Sequence, residues 1–365
     1  MCIALLTTLH PKYALIAINN RDEYILRPTS RPSWWRAQAN RPPPSGPVDV
    51  EVLSSRDLQR AEHGTWLGIT KDGNFAVLTN YRETDTHDAA HPIHGTRSRG
   101  GMVTAWLTAD PEEPTESFVR RMVETGDVKG VGGFSLICGK LRKANGSEEL
   151  EPLAILSNRH DHMGHVPWIC GRRGGVYGLS NATYVAPGDC EEGEELWPKI
   201  QKGSELLRQT VTDPAVQALD EDGLAEALLK VLDVDDFPAD HGMDLEEGIP
   251  LLKNSIFVPA FGGAAHQQEM REARERGRVK RSEHGDEAEE LLMDARPDNN
   301  VNGFQTGLYG TQRQTIILVD WEGNVTYKER SLWDSNGHPI PRGQGDVRFD
   351  FKIQGWNSEG ARAVL

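Results

Sequence analysis

The residues of this sequence that could do chemistry are concentrated in its first two dozen positions, which begin with Met1 and Cys2. If Met1 is removed, as the small size of Cys2 predicts, Cys2 carries both a thiol nucleophile and a free α-amine. An ordinary thiol has a pKa of about 8.5 and an α-amine one of about 7.7–8.0, so the amine can accept the thiol proton near neutral pH. An N-terminal amine that activates its own side chain is a known form of nucleophilic catalysis. Cys2 is therefore the candidate nucleophile.

A β-hairpin is predicted to position Cys2, because residues 2–9 and 13–20 are short apolar runs on either side of a Pro-containing turn at 10–12. Both runs are apolar on both faces, which is typical of central strands that are covered on each side. A two-residue turn would place Arg21 opposite Cys2, whereas a three-residue loop would place Asn20 there. Both registers remain open at this point.

In either register a polar cluster lies beside the thiol. A cationic Arg21 would lower the pKa of Cys2, and Asp22 or Glu23 could hold the α-ammonium group or orient the arginine. Because Arg21 and Asp22 are adjacent, a regular strand would direct them to opposite faces. Both can reach Cys2 only if a β-bulge or the end of a strand intervenes.

The composition excludes several classes of protein. The chain has 365 residues, of which 26% are charged and 37% hydrophobic, and its net charge is −15. This acidity argues against a nucleic-acid-binding protein and against electrostatic attachment to an anionic membrane. We expect no membrane-spanning segment and no secretory signal. The four scattered cysteines predict neither a disulfide framework nor a zinc site, so a cytoplasmic setting is the default.

Further candidate residues stand at the ends of predicted strands, where sites are often built. Residues 64–69 and 74–80 predict a second hairpin around Asp72-Gly73, which ends at Asn80 and Arg82. Asn181 follows a predicted strand at 176–180 and could donate an amide hydrogen bond to an oxyanion. Arg313 opens a long apolar strand that a turn at Gly323-Asn324 folds into a third hairpin with 325–329.

The remaining chain is predicted as follows. Helices are expected at 102–107, 115–123, 194–211 and 223–234, and strands at 134–138, 153–157 and 167–170. Residues 27–60, rich in Pro and Arg, predict an irregular excursion, and the core is expected to resume at 255–259. The charged segment 265–296 is interpreted as a solvated helix or mobile insertion, and the tail after Gly337 as loosely ordered.

Two groups of histidines do not have the pattern of a metal site. His87, His91 and His94 form one group, and His160, His162 and His165 form the other. Both lie in turn-rich sequence without a thiolate or an HExxH pattern, so we predict no metal site and no required cofactor.

Eight short blocks, in order along the chain, carry a resemblance to the transport and Golgi organisation 2 family, also called the NRDE family after its signature. The blocks are residues 1–4, 19–24, 27–29, 64–68, 80–82, 98–100, 178–181 and 309–313. The resemblance implies a single domain over 1–365 with the charged insertion at its periphery. It also implies an α+β fold, an Ntn-hydrolase-like four-layer αββα sandwich of two mostly antiparallel sheets.

More distantly, the pattern is similar to cysteine N-terminal-nucleophile (Ntn) amidases of the penicillin-acylase and bile-salt-hydrolase type. That similarity implies Cys2 as nucleophile, Arg21 as the cation beside the thiolate and Asp22 as the partner of the α-amine. It also implies that Asn80 and Asn181 contribute to an oxyanion hole, with Arg313 stabilising charge near the site.

Two functions of different class follow from the resemblance. The first is hydrolysis or acyl transfer at an amide or thioester carbonyl by Cys2. The second is a non-catalytic intracellular carrier or adaptor that binds haem or an acyl lipid in the cleft between the sheets. Family members are associated with Golgi organisation, secretion, lipid homeostasis and haem trafficking, so association with Golgi or mitochondria is an alternative to a purely cytoplasmic location.

Overall fold

A computed structural model describes residues 2–39, 46–81, 98–129, 131–144, 147–186, 196–238, 243–283 and 306–357. The strands within these ranges are Ile3–Thr7 (β1), Tyr13–Tyr24 (β2), Ser33–Ala39 (β3), Val48–Ser54 (β4), Leu67–Thr70 (β5), Asn74–Asn80 (β6), Phe134–Lys140 (β7), Leu153–Ser157 (β8), Trp168–Ile169 (β9), Val176–Leu179 (β10), Tyr309–Asp320 (β11), Asn324–Ser331 (β12) and Asp346–Lys352 (β13). The helices are Arg99–Leu107 (α1), Thr115–Glu124 (α2), Pro198–Thr212 (α3), Pro214–Gln217 (α4), Glu221–Leu232 (α5), Leu245–Gly248 (α6) and Ala264–Glu283 (α7). Single 3₁₀ turns lie at Met163–His165 and Ile249–Lys253.

The strands form two antiparallel sheets. The first has the order β10-β1-β2-β11-β12-β13, and the second has the order β3-β4-β5-β6-β7-β8-β9. Every pairing between the named strands is antiparallel. Consequently β1 and β2, which carry the candidate residues, lie inside the first sheet with a strand on either side.

Three layers of apolar side chains separate four layers of secondary structure. Between the sheets, Leu6 and Ala17 of the first sheet pack with Val77 of the second. On the outer side of the first sheet, Ile3 packs against helices α3 and α5, and on the outer side of the second, Leu78 packs against α1 and α2. This is the predicted four-layer αββα sandwich, and the α+β class is confirmed.

The first hairpin has the register that places Arg21 opposite Cys2. Ile3 pairs with Asn20 and Thr7 with Ile16, so the ladder continues to Cys2 and Arg21. The alternative with Asn20 opposite Cys2 is therefore wrong. Both faces of β1 are buried, as the apolar runs predict, because one face meets the second sheet and the other meets the helices. The second and third predicted hairpins are also present, as β5–β6 and β11–β12.

Two expectations for the rest of the chain are wrong, and one is confirmed. Residues 27–60 are not an irregular excursion, because β3 and β4 within them pair at the edge of the second sheet, where Trp34 packs against Phe351. Between Gly337 and residue 357 the tail is not loose, because β13 pairs with β12 along seven residues. Polar and apolar residues alternate along β13, as is typical of an edge strand, and this alternation in the sequence could have predicted the strand. The core does resume at 255–259, where Ile256 and Val258 are buried, although no strand forms there.

The charged segment begins with a docked helix. In α7, Met270 and Ala273 are buried, and Arg274 Nε donates a 2.9 Å hydrogen bond to the Gly337 carbonyl. The solvated helix that was predicted is therefore attached to the core at its start, and residues 284–296 lie outside the described ranges. None of the described helices is long and apolar enough to cross a membrane.

Candidate functional site

Four of the six predicted site residues form one row across the first sheet. The β1–β2 ladder ends at the pair Ile3 and Asn20, so its continuation by one residue brings Cys2 opposite Arg21. The β1–β10 ladder ends at Ala4 and Leu179, and its continuation by two residues would bring Cys2 opposite Asn181, which lies in a bend. Arg21 in turn pairs directly with Arg313 of β11. Since residues directly opposite each other in an antiparallel pair share a face, the order across the sheet is Asn181, Cys2, Arg21, Arg313, at strand spacings of about 4.8 Å.

This row faces the second sheet. Ala4, Ala17, Leu179 and Ile317 lie two or four residues along the same strands, and all four belong to the apolar layer between the sheets. Because side chains alternate along a strand, the row residues point the same way. The row therefore forms a polar end to the apolar layer between the two sheets.

Cys2 is held at the end of β1 by contacts from both neighbouring strands. The Ser180 hydroxyl donates a 2.7 Å hydrogen bond to the Cys2 carbonyl, and the Thr79 hydroxyl of the second sheet donates one of 2.7 Å to the Ser180 carbonyl. The Cys2 side chain is 4% exposed. These contacts attach the end of β10, and with it Asn181, to both Cys2 and the second sheet.

The pKa of Cys2 is raised above its ordinary value, chiefly because burial disfavours the thiolate. The Asp22 and Glu23 charges also raise it, while a hydrogen bond from the Asp22 backbone amide lowers it. Burial therefore outweighs the effects that lower this pKa, and the predicted lowering by Arg21 stays a prediction. The sequence pattern showed the nearby cation but not the burial, which has the larger effect.

Arg313 of the row lies beside a buried carboxylate, Glu329 of β12. Arg313 Nε lies 3.9 Å from Glu329 Oε1, and the Glu329 carboxylate also accepts hydrogen bonds from Ser55 and Tyr327 at 2.8 and 3.2 Å. Burial lowers the pKa of Arg313 to about 10, an effect that Glu329 opposes and Arg21 increases. Arg313 therefore lies between the charge of one buried carboxylate and that of the neighbouring Arg21.

Both arginines keep buried nitrogen atoms without a hydrogen-bond partner among the described residues, namely Arg21 Nε and Arg313 Nη1. Arg21 is otherwise fixed by a 3.1 Å hydrogen bond from Nη2 to the Thr29 hydroxyl, and its guanidinium carbon lies 5.0 Å from the centre of the Trp66 ring. Buried donors normally find partners. These two nitrogens can therefore donate to an oxygen atom of a bound molecule.

Asp22 lies on the opposite face of the first sheet, as strand alternation predicts. It pairs with Thr311 in the β2–β11 ladder, and the Thr311 hydroxyl donates a 2.7 Å hydrogen bond to Asp22 Oδ1. A register shift between Thr311 and Arg313 leaves Gln312 as an extra residue. This bulge lets Thr311 serve the helix side while Arg313, two residues on, enters the row.

Arg21 and Asp22 could both reach Cys2 through a β-bulge or at the end of a strand, and the structure shows the second of these. The bulge lies in β11 rather than in β2, and Cys2 stands just before β1 begins. There the Asp22 backbone amide can reach the Cys2 sulfur although the two side chains lie on different faces.

Lys199 is a residue of the site that the sequence did not reveal. It is the second residue of α3, is 0% exposed, and lies within electrostatic range of both Asp22 and Cys2. Burial lowers the pKa of Lys199, and the charges of Asp22 and Cys2 oppose this. Burial likewise raises the pKa of Asp22, against the effects of Lys199 and Thr311. No local pattern marks this lysine, because its partners are some 180 residues away in the chain.

Asn80 does not join the row. It is the last residue of β6, and alternation places its side chain on the face of Ala76 and Leu78, which pack toward α1 and α2. Thr79 is the β6 residue that reaches the end of β10. A role for Asn80 in an oxyanion hole stays a prediction, and Arg82 lies outside the described residues.

Of the two histidine groups, the structure describes the one that follows β8. His162 and His165 have ring centroids 3.5 Å apart, beside the 3₁₀ turn at Met163–His165, while His87, His91 and His94 fall outside the described ranges. Across the part of the chain that the structure describes, no group of three His, Cys, Asp or Glu residues could hold a metal ion.

A cavity of about 780 Å³ opens on the helix side of β10, next to the first turn of α3. Its lining includes Val176, Tyr184, Ile200 and Ser204, together with Pro198. Pro198 and Ile200 flank Lys199, so this cavity adjoins the Asp22–Lys199 side of the site rather than the row.

Comparisons of this sequence with known families and with known proteins point to the same family. The family model described as Transport and Golgi organisation 2 matches residues 1–334. A Transport and Golgi organization protein 2 homolog from Homo sapiens is 29% identical over 325 residues, covering 89% of this chain and 88% of that protein. The homolog from Bos taurus is also 29% identical, over 94% of each chain.

Among solved structures, the C2A mutant of the conjugated bile acid hydrolase from Clostridium perfringens aligns over 99% of each chain, with 8% identity and a TM-score of 0.41. An N-acylethanolamine-hydrolyzing acid amidase ortholog from Caenorhabditis elegans aligns over 66% of this chain and 88% of its own, with 10% identity and a TM-score of 0.31.

Proposed function

Given that the chain belongs to the Transport and Golgi organisation 2 family, we propose that Cys2 is the nucleophile in hydrolysis or acyl transfer at an amide or thioester carbonyl. The observation that carries the proposal is the row of Asn181, Cys2, Arg21 and Arg313 facing the second sheet. The proposal uses the Cys2 thiol, the Asn181 amide and the two guanidinium groups, which are the kinds of group that such a reaction needs.

The reaction begins with removal of Met1, which frees the α-amine of Cys2. The amine takes the thiol proton, and the thiolate adds to the carbonyl carbon to give a tetrahedral oxyanion. The Asn181 amide donates to this oxyanion, and Arg21 and Arg313 offset its negative charge. The leaving amine or thiol departs with the proton from the ammonium group. Water then releases the acyl group from Cys2 in hydrolysis, and another nucleophile accepts it in acyl transfer.

The unpartnered nitrogens of the two arginines support this assignment. Arg21 Nε and Arg313 Nη1 are buried donors that gain a partner when an oxygen atom of the substrate enters the row. Donors that are already fixed in place need no reorganisation during the reaction, which makes their stabilisation of a developing charge effective.

One observation favours a second candidate. The Cys2 thiol is buried and its pKa is raised, so in the chain that retains Met1 it stays protonated at neutral pH. Such a thiol suits a non-catalytic intracellular carrier or adaptor for haem or an acyl lipid. This candidate would act in Golgi organisation, secretion and lipid homeostasis, in the cytoplasm or in association with Golgi or mitochondria.

The Cys2→Ala variant separates the two candidates. Wild-type protein and Cys2→Ala are incubated with a panel of acyl amides and acyl thioesters, and product release is followed with binding of the same compounds. If Cys2 is the nucleophile of an enzyme, turnover disappears in Cys2→Ala while binding of the compounds remains. Equal product release by both proteins refutes Cys2 as nucleophile. Binding without turnover in the wild type, unchanged in Cys2→Ala, identifies the carrier.

The N-terminal peptide of protein purified from its native host provides a second test by mass spectrometry. A free, unmodified Cys2 amine supplies the base that the mechanism requires. A retained Met1 or an acetylated terminus removes that base and refutes the amine-assisted mechanism.

A further inference from the structure

Lys199 occupies a position that a lysine rarely takes. A lysine is almost never fully buried unless it is paired, and Lys199 is 0% exposed. It also stands in the first turn of α3, after Trp197 and Pro198, where the helix dipole disfavours a positive charge. Two unfavourable features at one residue indicate that a compensating interaction holds it there.

The packing of α3 brings Lys199 to the end of β1. Gly178 of β10 lies against Ile200, and Gly203 of α3 lies against Leu5 of β1, so the first turns of the helix cross these two strands. Lys199 precedes Ile200 by one residue and is buried in the first turn of this helix. Asp22 reaches the same space from β2, because its side chain points to the helix side of the sheet.

The charges around this space are few and can be named. Asp22 and Cys2 are the titratable groups whose charges act on Lys199, and Asp22 and Glu23 are the acidic groups that act on Cys2. Glu23 is engaged by Arg27, whose Nη1 lies 3.2 Å from the Glu23 carboxylate. The N-terminal ammonium group also acts on both Cys2 and Asp22, and Lys199 is the side-chain cation that acts on Asp22.

We propose that Lys199 is a positioning residue of the Cys2 site, whose buried ammonium group holds the Asp22 carboxylate and offsets the charge of the Cys2 thiolate. The inference rests on the proposed function, since it assigns Lys199 a task only if Cys2 ionises. The proton of the thiol still passes to the α-amine, and Lys199 remains protonated throughout. Without Lys199, the N-terminal ammonium group alone would balance the Asp22 carboxylate and the thiolate.

The test is a pH titration of the Cys2 thiolate by its ultraviolet absorbance, taken as the difference between each protein and its Cys2→Ala counterpart. This readout needs no substrate and no access for a reagent. Lys199→Met keeps the length of the side chain and removes the charge, so the titration midpoint should rise by about 1 to 3 pH units, the effect expected for loss of a nearby opposite charge. Lys199→Arg retains the charge and should keep the wild-type midpoint.

Lys202→Met is the matched control. Lys202 lies in the same helix but is exposed and ion-paired with Asp236, at 2.6 Å, so its removal should leave the midpoint unchanged. A Lys199→Met protein that folds and titrates at the wild-type midpoint overturns the proposal. So does a Lys199→Arg midpoint as high as that of Lys199→Met.

A second comparison applies if Lys199→Met alone fails to fold. Asp22→Asn removes the buried carboxylate, and Asp22→Asn/Lys199→Met removes both charges and leaves no unpaired ion. The double variant should titrate at a higher pH than Asp22→Asn, and equal midpoints overturn the proposal. Failure of the proposed function would appear differently, as unchanged product release in Cys2→Ala, and would leave these midpoint shifts in place.

Discussion

Replacing Glu329 by glutamine removes the carboxylate that balances the arginines of the row. Glu329 is 3% exposed and lies 3.9 Å from Arg313. At this distance and an effective dielectric constant of about 20, the attraction within one ion pair is about 4 kcal/mol. Glutamine keeps the shape and can still accept from Ser55 and Tyr327. We therefore expect the free energy of unfolding to fall by about 3 kcal/mol, the lower end of the range for removing one partner of a buried pair.

This loss can be measured by urea denaturation, with circular dichroism as the signal. The urea concentration at the midpoint should fall, while the dependence of the free energy of unfolding on urea concentration stays the same. Glu116→Gln is the control, because Glu116 pairs with the exposed Arg120 and its neutralisation should leave the midpoint in place. Arg313→Met in the Glu329→Gln background removes one of the unbalanced cations, so it should restore part of the lost stability. A loss below about 1 kcal/mol in Glu329→Gln would refute the reasoning, since it would mean that the arginines need no buried counter-charge.

Two further predictions concern the scaffold around the site. The Asn20 amide donates hydrogen bonds of 2.8 and 2.9 Å to the Leu232 and Ile256 carbonyls, and Asn20→Ala removes both. Urea denaturation should therefore show that the free energy of unfolding falls by about 2 kcal/mol. An unchanged denaturation midpoint would contradict this prediction. Burial lowers the pKa of His10 from 6.5 to about 4, so between these values the unfolded chain binds a proton that the folded chain does not. Stability should therefore fall as the pH decreases from 6.5 toward 4, and His10→Gln should flatten this dependence; an equal slope in both proteins would exclude His10 as the cause.

The sequence was sufficient to predict the parts of the site that lie on one strand pair. Apolar runs of matched length limited the first hairpin to two possible registers. In the register that the structure has, Cys2 faces Arg21. The registers differed by a single residue of turn, and no local preference of the Pro-containing turn distinguished them. The choice is made by tertiary packing, since β1 and β2 must each match the strand on their other side.

The parts of the site that come from distant packing could not be predicted. Lys199 reaches Asp22 only because α3 crosses β1 and β10, and Glu329 reaches Arg313 only because the third hairpin joins the first sheet. The raised pKa of Cys2 has the same origin, because burial depends on all four layers. The edge strands β3 and β13 were missed for another reason. Half-exposed strands carry many polar residues, and Pro-rich or Gly-rich flanks conceal their alternation.

The edges of the two sheets determine how this protein should behave when it is concentrated. An unpaired strand edge can bind the edge of another chain, and short or charged edge strands prevent such pairing. The edge strand β9 has two residues and β10 has four, while β13 alternates Asp, Arg and Lys with apolar residues. The fourth edge, β3, has seven residues with a single charge, Arg36, and two adjacent tryptophans. Self-association through strand pairing should therefore begin at β3, and Gln38→Lys is the substitution on that strand that would best oppose it.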